Sequence, residues 1–191
     1  MSTMQKTILA FVIPLLALQL SPGQSNNRNG ADTQQAARKE AWEEYSAHLR
    51  VFKESAKKAF ADEQVRAKTG DCPKERTTLD ISMCLKKEVE KTTANYRVYS
   101  SGLRSLEGLT APDEPSSSES SKYSTSQELV KQFDDAETAW QAYKQAQCSA
   151  AYGAYKGGTI APIIQLTCEL TLFRDRMREL DGICGVTEGS E

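Results

Sequence analysis

Histidine is almost missing from this chain of 191 residues, since His48 is the single example. A zinc enzyme of the H-E-x-x-H type needs two histidines and is therefore excluded. No Gly-rich phosphate loop is present, which disfavours a nucleotide-driven enzyme. The 24 basic residues nearly balance the 26 acidic ones, so we expect no strongly basic face and no nucleic-acid partner.

Groups that could act in catalysis are also scarce. Asp134, Asp135 and Glu137 form a cluster, and paired carboxylates can act as general acid and base. On an amphipathic helix such a run is usually the solvated face, which is the interpretation we favour. His48 has no recognisable nucleophile partner, and no serine or cysteine nucleophile motif is present. We therefore predict a protein that is not an enzyme and has no catalytic residue, cofactor or metal.

No segment alternates apolar and polar residues in the way that is typical of a β-strand. Four segments instead carry apolar residues three and four positions apart, which is typical of amphipathic helices. These segments are 33–70, about 74–106, one that begins near Thr125 or Ser126, and about 160–180. They predict an all-α fold, a single bundle-like domain of about four helices.

The apolar stripes of the four helices are the candidate core. They are Trp42, Tyr45, Leu49, Phe52, Ala56 and Ala59 in the first helix; Leu79, Met83, Val89, Tyr96, Tyr99, Leu103 and Leu106 in the second; Leu129, Phe133, Ala136, Trp140 and Tyr143 in the third; Ile163, Ile164, Leu166, Leu170, Phe173, Met177 and Leu180 in the fourth. Pro73 and Pro162 suit the first turns of the second and fourth helices.

The N-terminus predicts export. Lys6 precedes an apolar run of 13 residues, 8–20, which is shorter than the about 20 residues of a membrane-spanning helix. Ser21 and Gly23 fit the small-residue rule, so we predict a signal peptide at 1–23. A cut after Ser25 is nearly as plausible, and an uncleaved anchor is the alternative. We expect a periplasmic or secreted protein with no stable membrane anchor in the mature chain.

Two segments interrupt the helical pattern. Residues 24–32 are polar and predict a flexible leader before the additional amphipathic helix at 33–70. Residues 108–126 are rich in Ser and Pro and predict a long loop or linker.

All five cysteines follow the predicted signal peptide, and in an exported protein they should form disulfides. None belongs to a C-x-x-C pair, so a zinc site or a redox motif is disfavoured. Antiparallel packing would bring four cysteines to one end of the bundle. A rise of about 1.5 Å per residue gives the level of each cysteine along the bundle axis. By this level Cys84 is nearest to Cys168 and Cys72 to Cys148, so we favour these two pairs and leave Cys184 unpaired.

The stretch from Ala136 to Cys148 resembles the A-Q-x-A-W-x-x-F/Y-R-D-A-x-C signature of the lysozyme inhibitor LprI N-terminal-domain family. The shared positions, with those of the family's following block, are Ala136, Trp140, Tyr143, Cys148, Gly157, Gly158, Cys168 and Arg176. The resemblance covers 72–184 and is interrupted by the Ser-rich insertion. The chain departs from it at Lys144 and Gln145, where the family has an Arg-Asp pair.

The resemblance implies a small, exported, disulfide-bonded α-helical domain of bacterial envelopes. Some members of the family are linked to lysozyme inhibition, so we expect a binding protein that inhibits a lysozyme-type peptidoglycan hydrolase. The alternative is a non-inhibitory structural or interaction protein of the envelope. Its support is the heptad-like stripe from Trp42 to Ala59, which suits pairing with a partner helix.

Two loops are candidates for insertion into a hydrolase cleft. One carries Asp113, Glu114, Glu119, Lys122 and Tyr123, and its alternative is a solvated linker. The other is 152–159, with Tyr155 and Lys156, and its alternative is a turn in which the glycines only end a helix. Trp140 and Tyr143 are expected in the core. Lys144 and Arg176 either make a polar contact between the third and fourth helices or are solvated.

Overall fold

The computed structural model describes residues 26–113 and 125–185. These residues form four α-helices and no strand, which confirms the all-α prediction. The helices are α1 (Asn26–Thr69), α2 (Thr78–Glu107), α3 (Ser126–Ala154) and α4 (Ala161–Cys184). The predicted signal peptide and most of the Ser-rich insertion lie outside the described residues. Over the two described ranges, no helix is both long and apolar enough to cross a membrane.

The chain divides into two compact units, residues 1–37 and residues 38–191. In the described part of the first unit, the Thr33 hydroxyl donates to the Gly30 carbonyl at 3.2 Å. The segment 24–32 was expected to be a flexible leader, but α1 begins at Asn26. A polar segment shows no apolar stripe, but polar residues can still form a helix. A single glycine in a helix costs only about 1 kcal/mol relative to alanine.

The helix ends follow their capping residues. The Thr125 side chain accepts from the Glu128 amide and Glu128 bonds back to the Thr125 amide, a capping box that confirms the predicted start of α3. The second helix was expected from about Lys74, but Thr77 caps it and it begins at Thr78. Pro73 therefore lies in the connection before α2. Pro162 occupies the first turn of α4, as predicted.

Successive helices pack antiparallel. Phe60 of α1 lies 5.6 Å from Tyr99 of α2, measured between ring centroids, while Arg66, further along α1, bonds to the earlier Glu88. Gly102 permits this approach, since a Cβ there would lie 3.0 Å from Ala56 Cβ and 3.1 Å from the Phe52 carbonyl. The buried cluster that results is Ala56, Ala59, Tyr96, Tyr99, Leu103, Phe173, Met177 and Leu180.

The predicted stripes are correct in part. Leu79 and Met83 are exposed, whereas Leu85 is buried. At about 100° per residue, Leu79 and Met83 each lie roughly 120° or more around the helix axis from Leu85, and therefore face away from the core. In α3, Ala136 is exposed and Tyr143 is 54% exposed, so the expectation of a buried Tyr143 is wrong. Their inward places are taken by two charged residues, Glu137 and Lys144, which contact side chains of α4.

The disulfides are Cys72–Cys84 and Cys148–Cys168, with Cα–Cα distances of 6.0 and 5.6 Å, and Cys184 is free. The predicted pairing of Cys84 with Cys168 and Cys72 with Cys148 is therefore wrong. Cys148 and Cys168 lie at similar depths on either side of the short α3–α4 connection. Cys72, at φ +55°, belongs to a connection that folds back onto the start of α2. The level along the bundle axis did not distinguish the correct pairs from the wrong ones. Each observed disulfide instead joins cysteines that are neighbours along the chain, with separations of 12 and 20 residues.

Candidate functional site

The tryptophan of the motif belongs to an aromatic cluster between α2, α3 and α4. The ring of Trp140 lies 5.0 Å from that of Tyr96 and 5.5 Å from that of Phe173, between centroids. Trp140 therefore supports the packing of three helices, in agreement with its expected place against the core.

The arginine of the motif bridges α3 and α4 beside this cluster. Arg176 donates to Glu137 Oε1 from Nε at 3.0 Å and from Nη2 at 2.8 Å, and it donates from Nη1 to Glu179 at 2.9 Å. The Tyr96 hydroxyl also donates to Glu137. Burial and this carboxylate raise the pKa of Tyr96 well above its ordinary value. The expectation that Glu137 belongs to the solvated face is therefore wrong.

The other expected residues of this region have separate partners. Asp134 binds Arg104 at 2.7 and 2.8 Å and Asp135 binds Lys131 at 2.5 Å, so the three carboxylates of α3 do not share a site. Lys144 and Arg176 are both cations, and they have different partners. Arg176 binds Glu137, whereas Lys144 Nζ lies 3.8 Å from the centroid of the Phe173 ring on α4.

A second interior network, which the apolar pattern of the sequence does not predict, joins α1 to α2 and α4. The carboxylate of Glu63 is 1% exposed. It accepts hydrogen bonds from Thr92 at 2.8 Å, Asn95 at 3.0 Å, Arg66 at 2.6 Å and Arg174 at 2.8 Å. Its position continues the stripe of Ala56 and Ala59, which is the only signal in the sequence that a charged residue here faces inward.

The connection between α3 and α4 is a tight exposed turn. Tyr155 N–H donates to the Tyr152 carbonyl at 3.1 Å, and Gly158 N–H donates to the Tyr155 carbonyl at 3.0 Å. Gly157 adopts φ +91°, a conformation that favours glycine. The side chains of Tyr152, Tyr155 and Ile160 are all exposed, Tyr155 by 49%. The glycines therefore shape the turn, and the aromatic side chains remain available for contact.

The first candidate loop is described only at its start. Asp113 accepts from Arg38 Nη2 at 2.6 Å and from Trp42 Nε1 at 2.9 Å. These bonds hold the first part of the α2–α3 connection against α1. Glu114, Glu119, Lys122 and Tyr123 lie outside the described residues. His48 is exposed and stacks on Phe52, with 6.0 Å between ring centroids.

No metal centre is evident in residues 26–113 and 125–185, where no three His, Cys, Asp or Glu side chains are grouped to hold an ion. The thiol of Cys184 is partly buried against the core, and burial raises its pKa. The site that remains is the exposed aromatic turn on the disulfide-bonded α3–α4 hairpin.

These features define a disulfide-bonded four-helix domain. Trp140, Arg176 and the Cys148–Cys168 pair of the motif belong to its scaffold, and an exposed turn connects the last two helices. The model of the family described as lysozyme inhibitor LprI matches residues 69–180. This match covers more than half of the chain, and the chain therefore belongs to the lysozyme inhibitor LprI family. Comparisons with curated proteins and with solved structures find no match. Nearly all of α1 precedes the matched range.

Proposed function

We propose that this protein is exported to the bacterial envelope or beyond and inhibits a lysozyme-type peptidoglycan hydrolase by binding it. It acts as a binding protein and not as an enzyme. The α3–α4 turn enters the substrate cleft of the hydrolase and blocks it. The observation that carries this proposal is the exposure of Tyr152, in the last turn of α3, and of Tyr155 and Ile160 in the short turn that follows, all within the family-matched range.

The turn has the chemistry that such a cleft requires. A glycoside hydrolase places two carboxyl groups in its cleft, and Lys156 at the tip offers a complementary charge. Tyrosine side chains are frequent anchors of protein interfaces because they bury a large area at low entropic cost. The Cys148–Cys168 disulfide holds the hairpin behind the turn, so little ordering is required on binding.

The alternative, an envelope protein that pairs α1 with a partner helix, loses part of its support. Ala56 and Ala59 of the expected pairing stripe are buried in the cluster formed with α2 and α4. Trp42 donates to Asp113 of the same chain. Both ends of the stripe thus already contact other parts of this chain.

A peptidoglycan-lysis assay tests the proposal. Purified oxidised mature protein is titrated against chicken-type, goose-type and invertebrate-type lysozymes. We expect saturable inhibition of at least one type near stoichiometric protein. The absence of inhibition of all three, by protein with both disulfides formed, would contradict the proposal and favour the interaction role.

A matched pair of variants tests the turn itself. Tyr155→Ala should weaken inhibition by roughly tenfold or more, the size expected for an interface anchor. Tyr143→Ala removes the same side chain from a comparably exposed position on α3 and should leave inhibition unchanged. Equal effects of the two variants would show that the turn is not the inhibitory element.

A further inference from the structure

A groove of about 520 Å³ lies between α3 and α4 beside the Cys148–Cys168 disulfide. Polar side chains of both helices line it: Gln141, Lys144, Gln145 and Ser149 from α3, and Gln165 and Glu169 from α4. Amides, a hydroxyl, an ammonium and a carboxylate therefore converge on one concave surface. A few converging polar groups in a concavity are what orients a small ligand.

Lys144 is the unusual member of this lining. Its Nζ lies 3.8 Å from the centroid of the Phe173 ring and 5.6 Å from that of Trp140, so an aromatic surface covers one side of the ammonium. The side chain is half-buried, and this burial lowers the pKa of Lys144. The cation–π contacts offset only part of the cost of removing an ammonium from water.

The comparison with the neighbouring interior cations shows what Lys144 lacks. Arg174 pairs with Glu63 and Asp71, and Arg176 pairs with Glu137 and Glu179, all at 2.6 to 2.9 Å. Within the described parts of the chain, no carboxylate lies within 4.0 Å of the Lys144 ammonium. A partly buried charge is ordinarily paired, and this one instead borders an open groove.

The groove also offers the opposite charge. Glu169 lines it and accepts a hydrogen bond from Gln165 Nε2 at 3.1 Å. Glu169 attracts the Lys144 ammonium electrostatically but forms no direct ion pair with it. Each group therefore retains the capacity to bind a ligand group of opposite charge. A ligand that carries both a carboxylate and an ammonium would satisfy the two residues together, and the glutamine amides can bond to peptide groups between them.

We infer that this groove binds an amino-carboxylate ligand, a free amino acid or a short peptide, with the ligand carboxylate on Lys144 and the ligand ammonium on Glu169. This site is separate from the hydrolase contact proposed for the α3–α4 turn, and its test does not depend on inhibition.

Binding is measured on the full mature oxidised protein by calorimetry and by NMR titration, which follows the chemical shifts of the backbone amides. The probes are alanine, dialanine, acetate and methylamine. We expect saturable binding of alanine or dialanine, with shifts at the groove residues, and much weaker binding of acetate and methylamine. Stronger binding of dialanine than of alanine would identify the peptide as the ligand, and the reverse would identify the free amino acid. Equal binding of acetate, or no saturable binding of either amino-carboxylate probe, would overturn the inference.

Variants locate the site. Lys144→Gln and Glu169→Gln should each weaken binding by roughly tenfold or more, because each removes a charge-assisted hydrogen bond. Lys131→Gln removes an exposed lysine from the same helix and should bind as the parent does. Should Lys144→Gln fail to fold, Glu169→Gln decides the question alone. Unchanged affinity in a folded groove variant would overturn the inference.

Discussion

Arg174 of α4 donates from Nε to the buried carboxylate of Glu63 on α1, over 2.8 Å, and its two terminal nitrogens hold Asp71 at 2.6 and 2.8 Å. Glu63 precedes the range that matches the LprI family, and Arg174 lies within it. This single guanidinium thus connects the N-terminal helix and the segment next to Cys72 to the family domain. The second half of the additional helix, which carries Ala56, Ala59 and Glu63, is therefore part of the packed core.

We expect Glu63→Ala to lower the free energy of unfolding by about 3 kcal/mol. The change leaves Thr92 and Asn95 without their buried acceptor. It also leaves Arg66 with Glu88 alone and Arg174 with Asp71 alone. Urea unfolding monitored by circular dichroism measures this change. Glu43→Ala is the matched control, because Glu43 forms only an exposed pair with Lys39 at 3.7 Å. Its effect should stay below about 1 kcal/mol. Similar losses in both variants would contradict the structural role of the interior network.

At Gly102 the helices α1 and α2 approach each other closely. A larger side chain there would push against Ala56 and the Phe52 carbonyl, so we expect Gly102→Leu to cost about 2 kcal/mol or more. The control is Gly182→Ala in α4, where an added Cβ meets nothing within 4 Å. That change should add roughly 0.5–1 kcal/mol through helix propensity. Thermal unfolding compares the two, and a neutral Gly102→Leu would refute the close approach.

The disulfide pairing is directly measurable. Mass spectrometry of a non-reduced digest should recover the pairs Cys72–Cys84 and Cys148–Cys168, with Cys184 alkylated only after unfolding. Replacing both members of the second pair by serine should cost about 3 kcal/mol, because the bridge closes a loop with a separation of 20 residues. Recovery of a Cys84–Cys168 peptide would instead restore the pairing expected from helix depth.

Glu88 predicts how stability changes in acid. A hydrogen bond from Lys91, at 2.8 Å, and one from Arg66 lower the pKa of Glu88 below its ordinary value of 4.5 although partial burial opposes this. Its contribution to stability is therefore present above the unfolded-state pKa. It is lost as the pH falls through the folded-state pKa, since the unfolded chain takes up the proton first.

Urea unfolding of the parent and of Glu88→Gln, measured from neutral pH to below 4.5, tests this expectation. The parent should lose more stability than the variant in the acidic window, because the variant has no proton to bind at this position. Parallel curves for the two proteins would show that Glu88 does not contribute. Glu90→Gln, an exposed substitution on the same helix, is the control.

Local signals in the sequence located the helices well. The Thr125 and Glu128 capping box and Pro162 predicted where α3 and α4 begin, because these residues act within one turn of their own positions. The start of α2 was missed by four residues. Pro73 suited a first turn as well as it suits the connection in which it lies, and Thr77 supplies the actual cap.

The residues of the candidate sites were less predictable. A stripe of apolar residues predicts a buried face only where burial is achieved by apolar groups. Glu63, Glu137 and Lys144 face inward because arginines, hydroxyls or aromatic rings on other helices compensate their charges. Tyr143 faces outward because its neighbour Lys144 occupies the position that faces α4.

The sequence by itself determined the all-α class, the ends of α1 and α2, the starts of α3 and α4, and membership in the LprI family, since propensity, caps and motif spacing are local properties of the chain. Only the tertiary structure decided which cysteines pair, which charged residues are buried and which tyrosines remain exposed. Those outcomes depend on which side chains of distant segments meet, and many arrangements of the same four helices satisfy the local signals equally well.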